Sequence, residues 1–391
     1  MENKEKRVGL CLAYNGTNYG QLLQAYATQY TIEKMGFSTE IIAYHSGKNK
    51  GIKLSYAAIV VALKKINNKI KQKCKKIVKC DVDEIHKKNA EGRKKTSDLF
   101  RKKKLHNIVK INGIDNLKNH AKCYDAVLVG SDQIWLPDVS VTNFYTLRFV
   151  PKEVNRISYA TSLGVSEYPN YAKKPAAEFL ENINYLSVRE QQGKDLIENI
   201  SNAKAKVVLD PTYLLTKEEW LNNIPLKEII EPGYILCYFL SDNKEQRKFA
   251  KKFAENKKLK LVGILSDESK FNDYDLYDEI IIGKGPEEFV NLIRNSEYVL
   301  TDSFHGMAFS ILNEKQFNIF YRVREDTKLS RNSRIDNVLR MFNLEDRLIL
   351  SPETTIGSND VIDYNRVNKI IEKKRNESLK FLENALFDKG E

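Results

Sequence analysis

The sequence predicts an α/β protein of two Rossmann-like, doubly wound domains facing each other across a cleft. Three observations lead there. Short apolar runs alternate with stretches of helical period along most of the 391 residues, the pattern of parallel strands joined by crossover helices. The alternation breaks at "LLTKEEWLNNIPLKEIIEPG", where proline and glycine punctuate, and then resumes. The length and the 42% hydrophobic content suffice for two cores and argue against wholesale disorder.

The first strand is "RVGLCLA" (Arg7–Ala13), followed by "YNGTNYG", a loop with two glycines. In "QLLQAYATQYTIEKMG", Leu22, Leu23, Tyr26, Ala27 and Tyr30 share one helical face, and Gly36 is the stop. "STEIIAY" is the second strand, and a strand–helix–strand unit of this length predicts a parallel pair with a right-handed crossover. A lysine-rich stretch follows, with Ile66, Ile70 and Ile77 at helical spacing, so residues from about 52 to 118 read as a basic helical insertion. Strands resume at "YDAVLVG", "RISYATS", "YLSVRE" and "KVVLDP", with helices at "PAAEFLENIN" and "QGKDLIENI". This gives an N-terminal domain over residues 1–220. The C-terminal domain, 221–391, has strands at "YILCYFL", "LKLVGIL", "DEIIIG", "SEYVLTD" and "QFNIFYR". Its helices are "KEQRKFAKKFAENK", "PEEFVNLIRN", "GMAFSILN" and "SRIDNVLRMF", and the long "YNRVNKIIEKKRNESLKFLENALF" closes it.

The net charge of +12 is local. Lys64–Lys110 holds 18 Lys+Arg against 5 Asp+Glu, a surplus of 13, so the rest of the chain carries −1. Five scattered cysteines form no CxxC pair and no zinc spacing, which indicates reduced thiols rather than disulfides or a structural metal. The charged N-terminus has no signal-peptide pattern. The longest apolar stretch of the first hundred residues, "YAAIVVAL", falls well short of the roughly 20 residues that span a bilayer, so a cytoplasmic location is expected.

In doubly wound sheets, ligands bind beyond the carboxyl ends of the strands. His305, one of only five histidines, stands in "LTDSFHG", where a strand ends and a helix begins. Its imidazole, the Ser303 hydroxyl and the first helical amides up to Gly306 would face the cleft, where helix N-termini favour anions. The structural alternative is a cap by Ser303 or Asp302 with a histidine satisfied by the backbone, and the two stand about even. "VGSDQIW" brings Asp132 and Gln133 to a similar strand end, and "SVREQQG" brings Arg189, which can grip a carboxylate bidentately or simply pair with Glu190 or Asp210. Asp210–Pro211 in "LDPTYLL" reads most simply as a rigid turn. Gly16 and Gly20 could bring backbone amides near an anion, but "YNGTNYGQ" lacks the dinucleotide spacing. The mixed-charge run "YRVREDTKLSRNSRIDNVL" could carry Lys328, Arg331 or Arg334 to the same cleft, or be a solvated loop.

In order along the chain, "NYGQLLQAYA", "VGSDQIW", "SYATSLG", "SVREQQG", "LDPTYLLTKEEW", "TDSFHGMAFSI" and "SRIDNVLRMFNLEDR" resemble the motif series of the polysaccharide pyruvyl transferase family. The resemblance runs from about Val8 to Arg347. It implies a glycosyltransferase-B-like arrangement and transfer of the pyruvyl unit of phosphoenolpyruvate to a pair of sugar hydroxyls of a surface or extracellular polysaccharide precursor, giving a cyclic ketal and phosphate. By the same resemblance, Arg189 and His305 are the positions expected to meet phosphoenolpyruvate, and the geometry of the turn adds Ser303 and Gly306. Such chemistry needs an acid, a base and an anion clamp, and no redox cofactor. No cofactor is firmly implied, and a divalent metal stays open. His305 is the candidate phosphate ligand and proton donor, and Asp132 and Asp302 are candidate bases, although loop closure is the more common task of such residues. Asn18, Tyr19 and Gln133 are expected to bind the sugar or line the cleft.

For Lys64–Lys110, a solvated helical insertion is the leading reading. A membrane-surface helix comes second; it would bring the cleft to an acceptor glycan carried on a lipid, the enzyme then lying peripherally at the inner face of the membrane. Nucleic-acid binding comes last, since no recognised module surrounds the lysines. Two rival functions remain open: a nucleotide-sugar-dependent glycosyltransferase of the same architecture, and a non-enzymatic membrane-surface scaffold.

Overall fold

Two parallel sheets carry the chain in the computed structural model, which describes residues 6–46, 57–66, 84–268, 274–322, 332–351 and 360–388. Among these, the first sheet comprises β1 (Arg7–Cys11), β2 (Ser38–His45), β3 (Ile108–Asn112), β4 (Ala126–Asp132), β5 (Asn155–Thr161), β6 (Tyr185–Val188) and β7 (Lys206–Val207). Their order across the sheet is β3-β2-β1-β4-β5-β6-β7. The second comprises β8 (Tyr234–Tyr238), β9 (Lys260–Ile264), β10 (Glu279–Ile281), β11 (Tyr298–Thr301), β12 (Gln316–Phe320) and β13 (Leu348–Ile349), ordered β10-β9-β8-β11-β12-β13. Strand order reverses between β1 and β4 and between β8 and β11, and ligands of such sheets bind at these switch points.

The central strands are apolar without alternation because helices cover both faces. In β4, Ala126 and Leu128 enter one core while Val127 and Val129 enter another. The first of these cores runs through both lobes, joining Tyr19 and Leu22 to Phe289, Val299 and Phe309.

Three features depart from the sequence reading. The basic insertion does not run to 118 as helix, since Ile108–Asn112 pairs in parallel with β2, from Ile41↔Ile108 to His45↔Asn112. Its β-branched "IVKI" core had been hidden by the neighbouring lysines. The short β13 carried no signal of its own and pairs with β12 through Ile319 and Phe320. The closing helix Tyr364–Phe387 packs back on the first sheet, where Asn155 Nδ2 donates to the Ala385 carbonyl (2.6 Å) and Leu209 N donates to Ser378 Oγ (3.0 Å).

The helix Glu84–Lys104 joins the lobes. Its Arg93 is 2% exposed, donates to the carbonyls of Thr17 (3.0 Å) and Leu265 (3.2 Å), pairs with Asp267 (3.0 Å) and covers the Tyr19 ring at 4.0 Å. Gly92 lies against Gly283, where a Cβ on Gly92 would come within 2.5 Å of the Gly283 Cα.

Candidate functional site

Asp132 ends β4 in a left-handed turn (φ +76°), a conformation aspartate tolerates better than most residues. Gln21, on the helix Tyr19–Lys34 that follows β1, donates from Nε2 to Asp132 Oδ2 at 3.0 Å. Asp132 Oδ1 faces Arg189 Nη2 at 3.3 Å. Arg189 follows β6 and is 3% exposed. Its Nη1 donates to Asp210 Oδ2 at 3.0 Å, and its Nε lies 3.7 Å from Glu190 Oε2.

Asp210 is held from several directions. Its Oδ1 accepts from Thr212 N (3.1 Å) and Thr212 Oγ1 (2.8 Å), and Ser131 Oγ donates to Oδ2 (3.2 Å). The preceding residue is pinned by Ser378 of the closing helix and by the Tyr159 hydroxyl, which donates to the Leu209 carbonyl (2.9 Å).

His305 approaches from the other lobe. It is the second residue of the helix Phe304–Leu312, after β11, and Ser303 Oγ caps that helix by accepting from Gly306 N at 3.3 Å. His305 is 8% exposed, and its Nε2 lies 3.9 Å from Asp210 Oδ2 with no hydrogen-bond partner. Gly20 makes this approach sterically feasible, because a Cβ there would lie 1.9 Å from His305 Nδ1. Its missing side chain thus makes room for the ring. Phe304 presents its ring to two guanidinium groups, Arg189 at 4.8 Å and Arg334 at 5.8 Å.

The electrostatics follow from burial and these pairs. Burial opposes the Arg189 charge, but Asp132, Asp210 and Glu190 hold its pKa above the ordinary value. Burial would raise Asp132; Arg189, His305, Arg334 and the Gln21 bond outweigh it and hold the carboxyl down to about 2. Asp210 is likewise lowered against its burial, by His305, Arg189 and Thr212. Glu190 goes the other way, raised by burial despite Arg189 and the Ser162 hydroxyl. His305 is lowered, first by burial, so its imidazole is neutral near pH 7. Two arginines thus meet two firmly ionised aspartates, and the described cluster has no surplus positive charge.

Other expected site residues land elsewhere. Asp302 is 2% exposed and spends its oxygens on backbone amides at the end of β8, accepting from Leu240 N (2.6 Å) and Ser241 N (2.9 Å). It braces a strand end and does not reach the Asp132–Arg189 cluster. Tyr19 is 1% exposed, stacks on Phe289 (4.8 Å) and donates to the Lys284 carbonyl (2.9 Å), so it belongs to the inter-lobe core rather than to a sugar site. Asn18 caps the Tyr19–Lys34 helix, accepting from Gln21 N (3.3 Å), and donates to Glu268 Oε1 (3.2 Å) across the lobes. Gln133 keeps a buried Nε2 without a partner beside Gly164. Lys328 and Arg331 lie outside the described residues. Sequence reasoning named Glu190 and Asp210 as alternative partners of Arg189, and the structure pairs it with both, but it did not single out Gln21 or Phe304. The adjacency of Arg189 and Glu190 was a usable signal for a buried pair; the Asp210 contact depends on the fold. Among the described residues no group of three His, Cys, Asp or Glu side chains is arranged to hold a metal ion.

The sequence pattern of the polysaccharide pyruvyl transferase family matches residues 18–322, well over half the chain. The chain belongs to this family. Membership makes it a polysaccharide pyruvyltransferase and implies a glycan acceptor. No curated protein is significantly similar to it in sequence. Among solved structures, a UDP-GlcNAc 2-epimerase from Methanocaldococcus jannaschii is 14% identical, with a TM-score of 0.50 over 95% of this chain and 93% of its own. A UDP-GlcNAc 2-epimerase from Neisseria meningitidis bound to UDP-GlcNAc is also 14% identical, at 0.48 over 97% and 99%. The E. coli heptosyltransferase WaaC with ADP is 9% identical, at 0.38 over 96% and 99%. These likenesses concern the fold alone. The pyruvyltransferase has the two-domain, glycosyltransferase-B-like architecture expected of it, and no helix among its described residues is long and apolar enough to cross a membrane.

Proposed function

We propose that this pyruvyltransferase uses phosphoenolpyruvate as donor and forms a cyclic ketal on two hydroxyls of a polysaccharide precursor, at the junction of Asp132, Arg189, Asp210 and His305. The observation that carries the reading is the His305 Nε2, buried and unpartnered within 3.9 Å of Asp210 at the N-terminus of a helix. Buried polar atoms without partners are uncommon and mark places where a ligand completes the network. The helix Gln191–Ile200, which begins beside Arg189 and Glu190, adds a second N-terminus to the junction.

The charge balance among the described residues shapes the mechanism. A multiply anionic donor arriving at a cluster with no surplus charge favours protonation of the neutral imidazole, which supplies the balancing cation. The imidazolium then gives its proton to the donor's methylene carbon, and the adjacent carbon becomes oxocarbenium-like. The first sugar hydroxyl adds there and its proton returns to His305. The carbon–oxygen bond to phosphate breaks; the second hydroxyl closes the ring, its proton leaving with phosphate. Asp132, held down to about 2, is a weak base, so it orients a hydroxyl by accepting its hydrogen bond.

Incubation with phosphoenolpyruvate and candidate glycans should yield a product heavier by pyruvate less one water, with equimolar phosphate. A hexose increment with a nucleotide sugar would instead select the glycosyltransferase reading. Gly20→Ala tests the packing behind the site. Its Cβ must push the ring aside, so kcat should fall by about tenfold or more while the circular dichroism spectrum is kept. Unchanged turnover would remove His305 placement from the mechanism.

A further inference from the structure

The helix Gln191–Ile200 takes no cap from its own N-cap residue, Glu190. That carboxylate turns away: Oε1 accepts from Ser162 Oγ (2.7 Å), and Oε2 lies 3.7 Å from Arg189 Nε. The first helical amide is answered from the other lobe instead. Gln191 N donates to Asn337 Oδ1 (3.2 Å), and Asn337 Nδ2 donates to the Arg189 carbonyl (3.0 Å). One side-chain amide thus pairs with the main chain on both sides of Glu190.

Asn337 lies half-buried on the helix Ser333–Phe342, which connects β12 to β13 of the second sheet. The Tyr321 hydroxyl donates to Asp336 Oδ1 (2.6 Å) and ties this helix to the end of β12. Arg334, three residues before Asn337, shares its helical face. Arg334 approaches the Phe304 ring at 5.8 Å, next to His305, and Arg189 approaches the same ring at 4.8 Å. Two neighbouring side chains of one helix therefore reach the turn that carries Arg189 and the turn that carries His305. At the β9–β10 edge of the second sheet, Asn89 makes a comparable bridge, donating to Asp267 Oδ1 (2.8 Å) and accepting from Gly283 N (3.0 Å).

Within the first lobe, Asp132 and Asp210 already hold the Arg189 side chain. Those pairs do not set the gap to His305, whose Nε2 stands 3.9 Å from Asp210 across the junction. We propose that Asn337 is the positioning residue that sets it, keeping the Arg189 turn of one lobe in register with the His305 turn of the other. The register is read from these contacts; its consequence for catalysis rests on the pyruvyl-transfer reading.

The test uses the full chain with Asn337→Leu, which is nearly isosteric but neither donates nor accepts, and with Asn337→Ala, which leaves room for water. Both should keep the wild-type circular dichroism spectrum. Hydrogen exchange should quicken about tenfold at the first turns of both helices that meet at the junction, Gln191–Ile200 and Phe304–Leu312, while β9 keeps its rate. Faster exchange confined to the Gln191 helix would reduce Asn337 to a local cap and overturn the inference, as would unchanged exchange. With phosphoenolpyruvate as donor, kcat should fall about tenfold and KM should stay within about threefold. In the His305→Ala background the same substitution should cost less than about twofold, because a residue acting through His305 has nothing left to position. An equal loss in both backgrounds would overturn the inference. Absence of transfer in the wild type would strike the donor reading instead, and the exchange pattern would then decide the register on its own.

Discussion

Replacing Arg189 by methionine is expected to lower stability by about 3–5 kcal/mol, read from the urea midpoint, and to abolish transfer. Arg189 is 3% exposed and serves Asp132, Asp210 and Glu190 at once, so its removal strips three carboxylates of their nearest counter-charge. Arg189→Lys should recover less than half of the loss, because one ammonium cannot reproduce a planar fork that reaches two carboxylates. The pH dependence separates this account from simple loss of packing. In the wild type, Asp132 and Asp210 have folded pKa values below the ordinary 3.8, so their contribution is full above that value and is lost as the pH falls. Without Arg189, burial loses its largest opponent at Asp132 and its second, after His305, at Asp210, so both carboxyls rise; once they pass 3.8 the sign reverses, and the folded state is favoured below 3.8 and loses ground as pH rises through the raised values. The stability gap between the two proteins should therefore narrow steadily as pH is lowered from 7 toward about 4. A gap constant over that range would show that the lost contacts, and not the uncompensated charges, set the cost.

Much of this arrangement was legible from sequence, and the reason is local. β1, β4, β8 and β11 are buried on both faces, so they read as unbroken apolar runs whose ends identify the turns carrying Asp132 and His305. What sequence could not decide was which of the offered roles each group takes across the fold. Asp210 read both as a turn residue and as one of two partners for Arg189, and it is both: one oxygen accepts from Thr212 and the other from Arg189, next to a Leu209 held by the closing helix. Tyr19 and Asp302 failed as site residues for the same reason in reverse. Their neighbours in sequence face the cleft, while Tyr19 turns into a core shared with Phe289 and Asp302 back toward the end of β8. β3 was hidden because lysines around "IVKI" imitate the composition of a solvated helix, and only pairing with β2 decides it.

His305→Ala should separate activity from folding where Arg189→Met cannot. Near pH 7 the ring is neutral and its Nε2 has no partner, so at that pH truncation removes no counter-charge from Asp132 or Asp210 and breaks no Nε2 hydrogen bond. A stability change within about 2 kcal/mol is expected. Turnover should fall about 10²–10⁴-fold, the usual contribution of a positioned proton donor. Linkage gives two further signatures. Since burial puts the folded pKa below 6.5, the wild type is fully stabilised by this group above 6.5 and loses that contribution as pH falls; the alanine variant lacks that loss. Phosphoenolpyruvate should bind the wild type with uptake of a proton, because a multiply anionic ligand against Nε2 favours the imidazolium. The uptake is measured by titration calorimetry in buffers of different ionisation enthalpy, and affinity should strengthen as pH drops from 8 to 6. In His305→Ala both effects should vanish while weak binding persists. If the variant took up the same proton, the titrating group would lie elsewhere in the cluster, with Glu190, whose pKa burial already raises, the next residue to replace.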